Sequence, residues 1–347
     1  MRIFLIGVPI PVGGAGTEAF HSCLLWRKRG IEVTCLYFTQ CPCDAPMIVP
    51  CDNNPFVSRL EAVGVDFVPC ETGRLAEVPG LAGSLLVSFR TSHSIYNWPE
   101  FAALGCRMVY LPTMNFLSPP ESHIFSDCPP TALVCESKFQ ESLIGRDMRT
   151  YGCGIQRVIH GAFDETEFPF RPRERGEAFV VGRLARVCRT KWSPHLWPIL
   201  SDVRERGVDI RALCMGWDET LTRHCGEPPE WAECLLLGTI PAGEFIGRCH
   251  TMIAPNWGMP ENWPRLGLEC MAAGVPLVVD SIGGWLEQTG DAAWHCGSPK
   301  EFSDALEELA KDEGHRQSLI EAGRERLREI ANPEVIGGQW EELFNLV

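Results

Sequence analysis

The chain lacks any apolar stretch approaching the ~20 residues needed to cross a bilayer, which excludes a helical membrane span on sequence grounds. It also lacks basic charge. Lys and Arg number 31 against 45 Asp and Glu, a net charge of -14, and both halves of the chain are acidic. A nucleic-acid partner needs a basic face to meet its phosphates, so none is expected, and the same deficit argues against docking on anionic lipid. The one basic run, Trp26-Arg27-Lys28-Arg29, suits the last turn of a helix, where cations meet the negative end of the dipole. Cysteine is abundant at 17 residues, but no Cys-x-x-Cys pair occurs, the number is odd, and the closest group, Cys41, Cys43 and Cys51, lacks zinc-like spacing. Neither a disulfide framework nor a metal site is expected. The thiols are read as small buried hydrophobes in a reducing compartment. No secretory leader is expected, because the apolar run at residues 2–8 leads into a glycine loop without a small-residue cleavage site. The expectation is a soluble, cytoplasmic protein; its oligomeric state is not legible.

What is present is a globular composition, 45% apolar and 22% charged, in 347 residues, enough for two domains. Short apolar runs alternate with helical patterns throughout. A first series falls at 3–8, 33–38, 85–89, 108–111, 132–135 and 156–160. A second falls at 178–182, 210–215, 234–237, 251–254, 276–279 and 292–296. Continuous rather than alternating hydrophobicity marks strands buried on both faces, as in parallel sheets covered by helices. A polar, proline-containing stretch at 163–177 separates the series and suits a linker. The expected architecture is α/β: two Rossmann-like, doubly wound parallel-sheet domains facing a cleft. Residues 1–170 form an N-terminal domain, 171–331 a C-terminal one, and 332–347 a final helix. Ligands of such sheets sit outside the carboxyl ends of the strands. The charged amphipathic region 301–329 is read as a solvated helical face.

The densest chemistry lies in Pro260-Glu-Asn-Trp-Pro-Arg-Leu-Gly-Leu-Glu-Cys-Met-Ala-Ala-Gly-Val-Pro276. Pro264 is expected to open a helix and Gly274 to stop it, which places Glu261 just before the helix and Glu269 inside it. A helix N-terminus attracts phosphate, and acids on either side could recognise hydroxyls, so a sugar nucleotide has the matching shape. Arg183, at the end of the run Phe179-Val-Val-Gly-Arg183, and Lys191 could neutralise a departing diphosphate; the alternative is a pair of surface cations. The loop Gly13-Gly14-Ala15-Gly16 after the first strand is either a tight turn or an anion or sugar site. His93, after the strand at 85–89, is a loop hydrogen-bonder or a substrate contact. Asp218 and Glu219, after the run 210–215, could approach such a ligand, but a turn suits them better.

In order along the chain, Gly13-Gly14, Gly182-Arg183-Leu184 with Lys191, Glu261-x7-Glu269, Ala272-Ala273-Gly274-Val275-Pro276 and Gly283-Gly284-x-x-Glu287 resemble the retaining GT-B glycosyltransferases of family 4. The similarity covers nearly the whole chain and is most specific in the second half. The resemblance implies that Arg183 and Lys191 bind the donor diphosphate, Glu269 the ribose hydroxyls, and Glu261 the donor sugar. Gly238-Thr239-Ile240 would lie near the base, and the last helix would cross back onto the first domain. Catalytic roles then fall to Glu261, Arg183 and Lys191. Donor binding falls to Gly13, Gly14, Gly16, Gly238, Thr239, Ile240, Pro264, Arg265, Leu266 and Glu269, and the acceptor side to Arg90, His93 and Asn115. No metal and no cofactor is implied beyond a nucleotide-sugar co-substrate, UDP- or GDP-linked, with a small-molecule or glycan acceptor.

The chain departs from the family pattern in two places. Trp263-Pro264 stands where Phe-Gly is frequent, and Pro264 has no N–H to offer phosphate, so Arg265 and Leu266 take that role. Pro112-Thr113-Met114-Asn115 stands where a histidine is often found. Two rival readings share this architecture: a sugar-nucleotide 2-epimerase, which would need no acceptor, and a catalytically silent sugar-nucleotide-binding protein. Trp257, Trp263 and Trp285 are expected to bracket the donor site.

Overall fold

The computed structural model describes every residue except Val12, 40–52, Arg175, Glu177 and Trp257, and the side chain of Ser92. The Cys41, Cys43 and Cys51 group and Trp257 therefore lie outside the described residues. The chain divides into two compact units, residues 1–163 with 333–347, and residues 164–332.

The first unit is built on a seven-stranded sheet: β1 (Arg2–Ile6), β2 (Glu32–Phe38), β3 (Asp66–Cys70), β4 (Leu85–Ser88), β5 (Arg107–Tyr110), β6 (Ala132–Cys135) and β7 (Ile155–Val158). Their order is 3-2-1-4-5-6-7, and every pairing is parallel. The second unit repeats the plan with β8 (Phe179–Leu184), β9 (Ile210–Met215), β10 (Ala232–Leu235), β11 (Thr251–Ala254), β12 (Leu277–Asp280) and β13 (Ala293–Cys296), in order 10-9-8-11-12-13. These pairings are parallel too. Two parallel sheets with helical crossovers establish the expected fold class, and the reason is visible in burial. Strands such as β4, β6, β11 and β12 are buried at every position, so each side chain, whichever face it points to, finds a helix.

The sequence pattern misses β3. Its residues, Asp-Phe-Val-Pro-Cys, lie at a sheet edge and are mostly not buried, and Pro69 is tolerated there because an edge position need not donate to a neighbour. The run at 234–237 also sits two residues early in the structure: β10 ends at Leu235, and Leu236 and Leu237 are exposed. The region 301–329 is two helices, Pro299–Lys311 and Glu313–Ile330, because the Asp312 side chain accepts from His315 N–H and starts the second.

Helix Pro333–Leu346 belongs to the first unit, where Trp340 and Phe344 pack on Trp26 with ring centroids 5.1 and 5.7 Å away. Such aromatic pairs add about 0.5–1.5 kcal/mol each beyond area burial. Arg29 ties the same helix down through Glu334 and Glu341 at 2.9 and 2.7 Å. Among the described residues, no helix is long and apolar enough to cross a membrane.

Candidate functional site

The second sheet carries the site residues at its carboxyl ends. Arg183 is the fifth residue of β8, with 4% exposure. Its guanidinium donates to the carbonyls of Leu184 and Lys191 and lies over the Trp192 ring, 5.4 Å from the centroid. Burial works against its charge, and Glu261 is the main compensating acid. Arg183 thus shapes the loop that presents Lys191. The Lys191 ammonium reaches both carboxylate oxygens of Glu261 at 2.5 Å, and the two side chains are only 20% and 18% exposed. The pair joins positions 70 apart in sequence. Half-shielded from water, it is worth more than an exposed surface pair, whose median is about 0–1 kcal/mol.

Glu261 sits on a tightly packed loop. Its carbonyl accepts from Gly284 N–H at 2.8 Å, and a Cβ on Gly284 would collide with the Asn262 carbonyl. Gly283 has φ +71°, and a Cβ there would lie 2.5 Å from the Glu261 carbonyl oxygen. The Gly283-Gly284 pair is therefore a close-approach device that sets the height of the Glu261 loop.

The helix after that loop runs Arg265–Ala273. Pro264, expected to be the first helical residue, is instead its N-cap, one position earlier, and Gly274 ends it at φ +74°. Pro264 itself offers no side-chain cap. Glu269, partly exposed on this helix, makes no hydrogen bond among the described residues, and burial raises its pKa despite the opposing charge of Arg265. An acid in that state is a ready acceptor for ligand hydroxyls. Arg265 and Leu266 are partly buried on the first turn. Trp263 and Trp285, expected to bracket a ligand, are instead core residues with 5% and 2% exposure.

Two residues that sequence reasoning did not single out complete this cluster. Asp280 ends β12 with 1% exposure, and its Oδ2 accepts from Asn256 N–H at 2.9 Å. Burial pushes its carboxyl up to about 7, with the negative charge of Glu261 adding to the effect. Asn256 donates its side-chain amide to Glu261 Oε1 at 3.3 Å and Met259 O at 3.2 Å. The available signal was an acid closing the buried run Leu-Val-Val-Asp directly before Ser281-Ile-Gly-Gly.

Gly238, Thr239 and Ile240, expected on the donor side, form a turn after β10. Gly238 has φ +79°, and the Thr239 hydroxyl donates to Leu236 O at 2.7 Å. Asp218 is the N-cap of helix Glu219–Cys225 and accepts from Thr220 and Leu221 N–H.

Six of the singled-out residues lie in the first unit. Gly13, φ +87°, precedes helix Gly14–Lys28, and Gly16 must lack a Cβ because Ile10 O fills that space. Here the glycine has a packing reason of its own. On the same helix, Glu18 is 3% exposed and accepts from Ala162 N–H at 2.7 Å and Ser22 Oγ at 3.2 Å. Arg90, in the left-handed region at φ +40°, pairs with Glu121 at 2.8 Å. Glu121, 1% exposed, also accepts from Tyr110 OH and from Ser118 N–H and Oγ. His93 stacks on Phe38, centroids 5.1 Å apart, and burial lowers its pKa; its Nδ1 is buried without a hydrogen bond. The loop 112–115 that carries Asn115 is held by Gln140, which donates to Pro112 O at 2.5 Å and Met114 O at 3.0 Å.

Set beside known proteins, the fold is that of the GT-B glycosyltransferases. HepE of Anabaena, crystallised with UDP and glucose, matches with TM-score 0.74 at 15% identity, with 100% of each chain covered. The pneumococcal O-GlcNAc transferase GtfA, in complex with UDP and GlcNAc, matches at TM-score 0.76 and 9% identity, covering 99% of this chain and 98% of that one. Sucrose-phosphate synthase from Thermosynechococcus elongatus matches at 0.70 and 14% identity, covering 100% of this chain and 98% of that one. The family model of glycosyl transferases group 1 matches residues 164–326, nearly the whole second unit, and with the fold it supports membership of that family. No curated protein sequence matches the chain.

Proposed function

We propose that this chain is a retaining glycosyltransferase of family 4 that moves a hexosyl group from a UDP- or GDP-sugar to a small-molecule or glycan acceptor, without a metal, in the cytoplasm. The observation that carries the reading is the Lys191–Glu261 contact in front of helix Arg265–Ala273, backed by buried Arg183 and by Glu269 without a hydrogen bond. An ammonium held beside a helix start can exchange its carboxylate partner for a phosphate, gaining the helix dipole as well. The family match over this unit, and the UDP and UDP-glucose complexes of HepE, support the same ligand class.

In this reading the donor diphosphate meets Lys191 and the N–H groups of Arg265 and Leu266, with Arg183 behind the loop. Glu269 takes the ribose hydroxyls, Gly238–Ile240 lie near the base, and Glu261, released from Lys191, faces the sugar. As the bond from the anomeric carbon to the phosphate oxygen breaks, its electron pair leaves on the diphosphate, which Lys191 stabilises. The acceptor oxygen attacks from the same face, and its proton passes to the departing phosphate oxygen. Gly13, Gly14, Gly16, Arg90, His93 and Asn115 are assigned to the glycine loop and acceptor side.

Screening UDP-, GDP- and ADP-sugars by thermal shift tests the proposal, because a ligand at 100 times its Kd adds about 2.7 kcal/mol of stability. A matching sugar nucleotide should raise the melting temperature of wild type and not of Lys191→Ala; no shift with any of them defeats the reading. One observation favours a silent binding protein instead: Pro264 caps the helix and removes one phosphate-facing N–H. Calorimetric binding without turnover on any acceptor would decide for it.

A further inference from the structure

We infer that Asp280 is a positioning residue for Glu261: it anchors Asn256 beyond the end of β11, and Asn256 in turn fixes the Glu261 carboxylate in place, beside Lys191 in the free protein and facing the sugar once phosphate takes over Lys191. The inference rests on the sugar-nucleotide reading of this site. Strands β11 and β12 pair in parallel through Ala254 and Val279, which brings Asn256 level with the end of β12. There the Asn256 main-chain N–H donates to Asp280 Oδ2 at 2.9 Å. The Asn256 amide faces two acceptors, Met259 O and Glu261 Oε1, so its NH₂ group must point at them, and both of its donors are used. The result is a chain of contacts from Asp280 through Asn256 to Glu261 and on to Lys191, with Asp280 and Asn256 only 1% and 3% exposed.

An acid at the end of Leu-Val-Val is an expensive choice for the core. Its Oδ1 makes no hydrogen bond among the described residues; burial disfavours its charge and Glu261 repels it, against the favourable N–H groups of Asn256 and Ile282 and the charge of Arg183. An apolar residue would suit the strand better. Local conflict of this kind is expected where a site needs a fixed geometry. What Asp280 provides is an acceptor for the Asn256 N–H, which no apolar side chain offers. Without it, the turn that carries the Asn256 amide loses its anchor, and the Glu261 carboxylate loses the donor that holds it against Lys191.

Steady-state turnover of the donor found by the thermal screen tests this. Asp280→Ala and Asn256→Ala should each lower kcat by about tenfold to a hundredfold, the range expected when a site residue is displaced by an ångström or less. Asp280→Asn, which keeps an acceptor oxygen, should retain most of the activity. In a Glu261→Gln background, Asp280→Ala should cost little more, since coupled residues are not additive. Wild-type kcat in Asp280→Ala, or an undiminished cost in the Glu261→Gln background, overturns the inference. If Asp280→Ala does not fold, Asn256→Ala carries the test, because it leaves the Asp280 contact in place. A wild type that turns over no sugar nucleotide defeats the reading of the site but not this test. A crystal structure of Asn256→Ala still decides: a Glu261 carboxylate that has left Lys191 supports the positioning, and one still seated on it refutes it.

Discussion

Glu121 in the first unit and Glu261 in the second are both acids paired with a cation, yet their surroundings differ. Glu121 accepts from Arg90, Tyr110 and both donors of Ser118, and it is 1% exposed. Glu18 closes its own loop in the same way, through Ala162 N–H. Those acids are used up by the fold. In the second unit Lys191 and Glu261 stay about one fifth exposed, and among the described residues Glu269 and Asp280 Oδ1 make no hydrogen bond. A closed network fixes a loop, whereas an open one keeps capacity for a ligand. The difference between the units therefore points to where binding energy is available, independently of any motif.

The contrast can be broken most directly at Glu121. Glu121→Ala removes the partner of part-buried Arg90 and leaves several donors unmet, so it should cost about 3–5 kcal/mol in urea unfolding, with the affinity for a sugar nucleotide unchanged. An effect on affinity as large as that on stability would erase the distinction. Lys191→Ala should behave the opposite way: kcat falls roughly 10²-fold or more, as when an oxyanion donor is lost, while the unfolding midpoint moves little. Glu269→Gln keeps shape and loses charge. It should weaken donor binding by about tenfold in calorimetry, the scale of a single charge-assisted hydrogen bond. Binding as tight as wild type would remove Glu269 from the site.

The smallest effect sharpens the comparison through pH. The folded pKa of Asp280 is raised from 3.8 to about 7, so the native state holds more protons than the unfolded chain between those values. Stability must then fall as pH rises through that window, and the contribution is fully present only at acid pH. Between pH 5 and 6 wild type should lose about 1.4 kcal/mol relative to Asp280→Asn, whose slope lacks this contribution. Parallel slopes would show that the Asp280 carboxyl titrates normally.

Much of the fold was legible because burial on both faces leaves a simple mark. The runs 132–135, 210–215 and 251–254 coincide with β6, β9 and β11. β3 left no such mark, since an edge strand with Asp66 and Pro69 has only one neighbour to satisfy. Within the site, Gly274 announced a helix end, and Pro260–Pro276 announced a loop and helix, because capping and φ preferences are local. The two tryptophans were misread for the opposite reason. A large indole suits a ligand platform or a core equally well, and only packing shows that Trp263 and Trp285 are buried.

Local chemistry along the chain was enough to establish two parallel-sheet α/β layers, the loop and helix around residues 260–276, and the residue types a phosphate-bearing ligand would require. Three-dimensional packing alone assigned partners: Lys191 to Glu261 across 70 positions, Asp280 to Asn256, and Arg90 to Glu121. Turn and strand preferences act over a few residues and are written in order. Which charge meets which depends on how β8, β11 and β12 are stacked side by side, and that register is a property of the folded sheet.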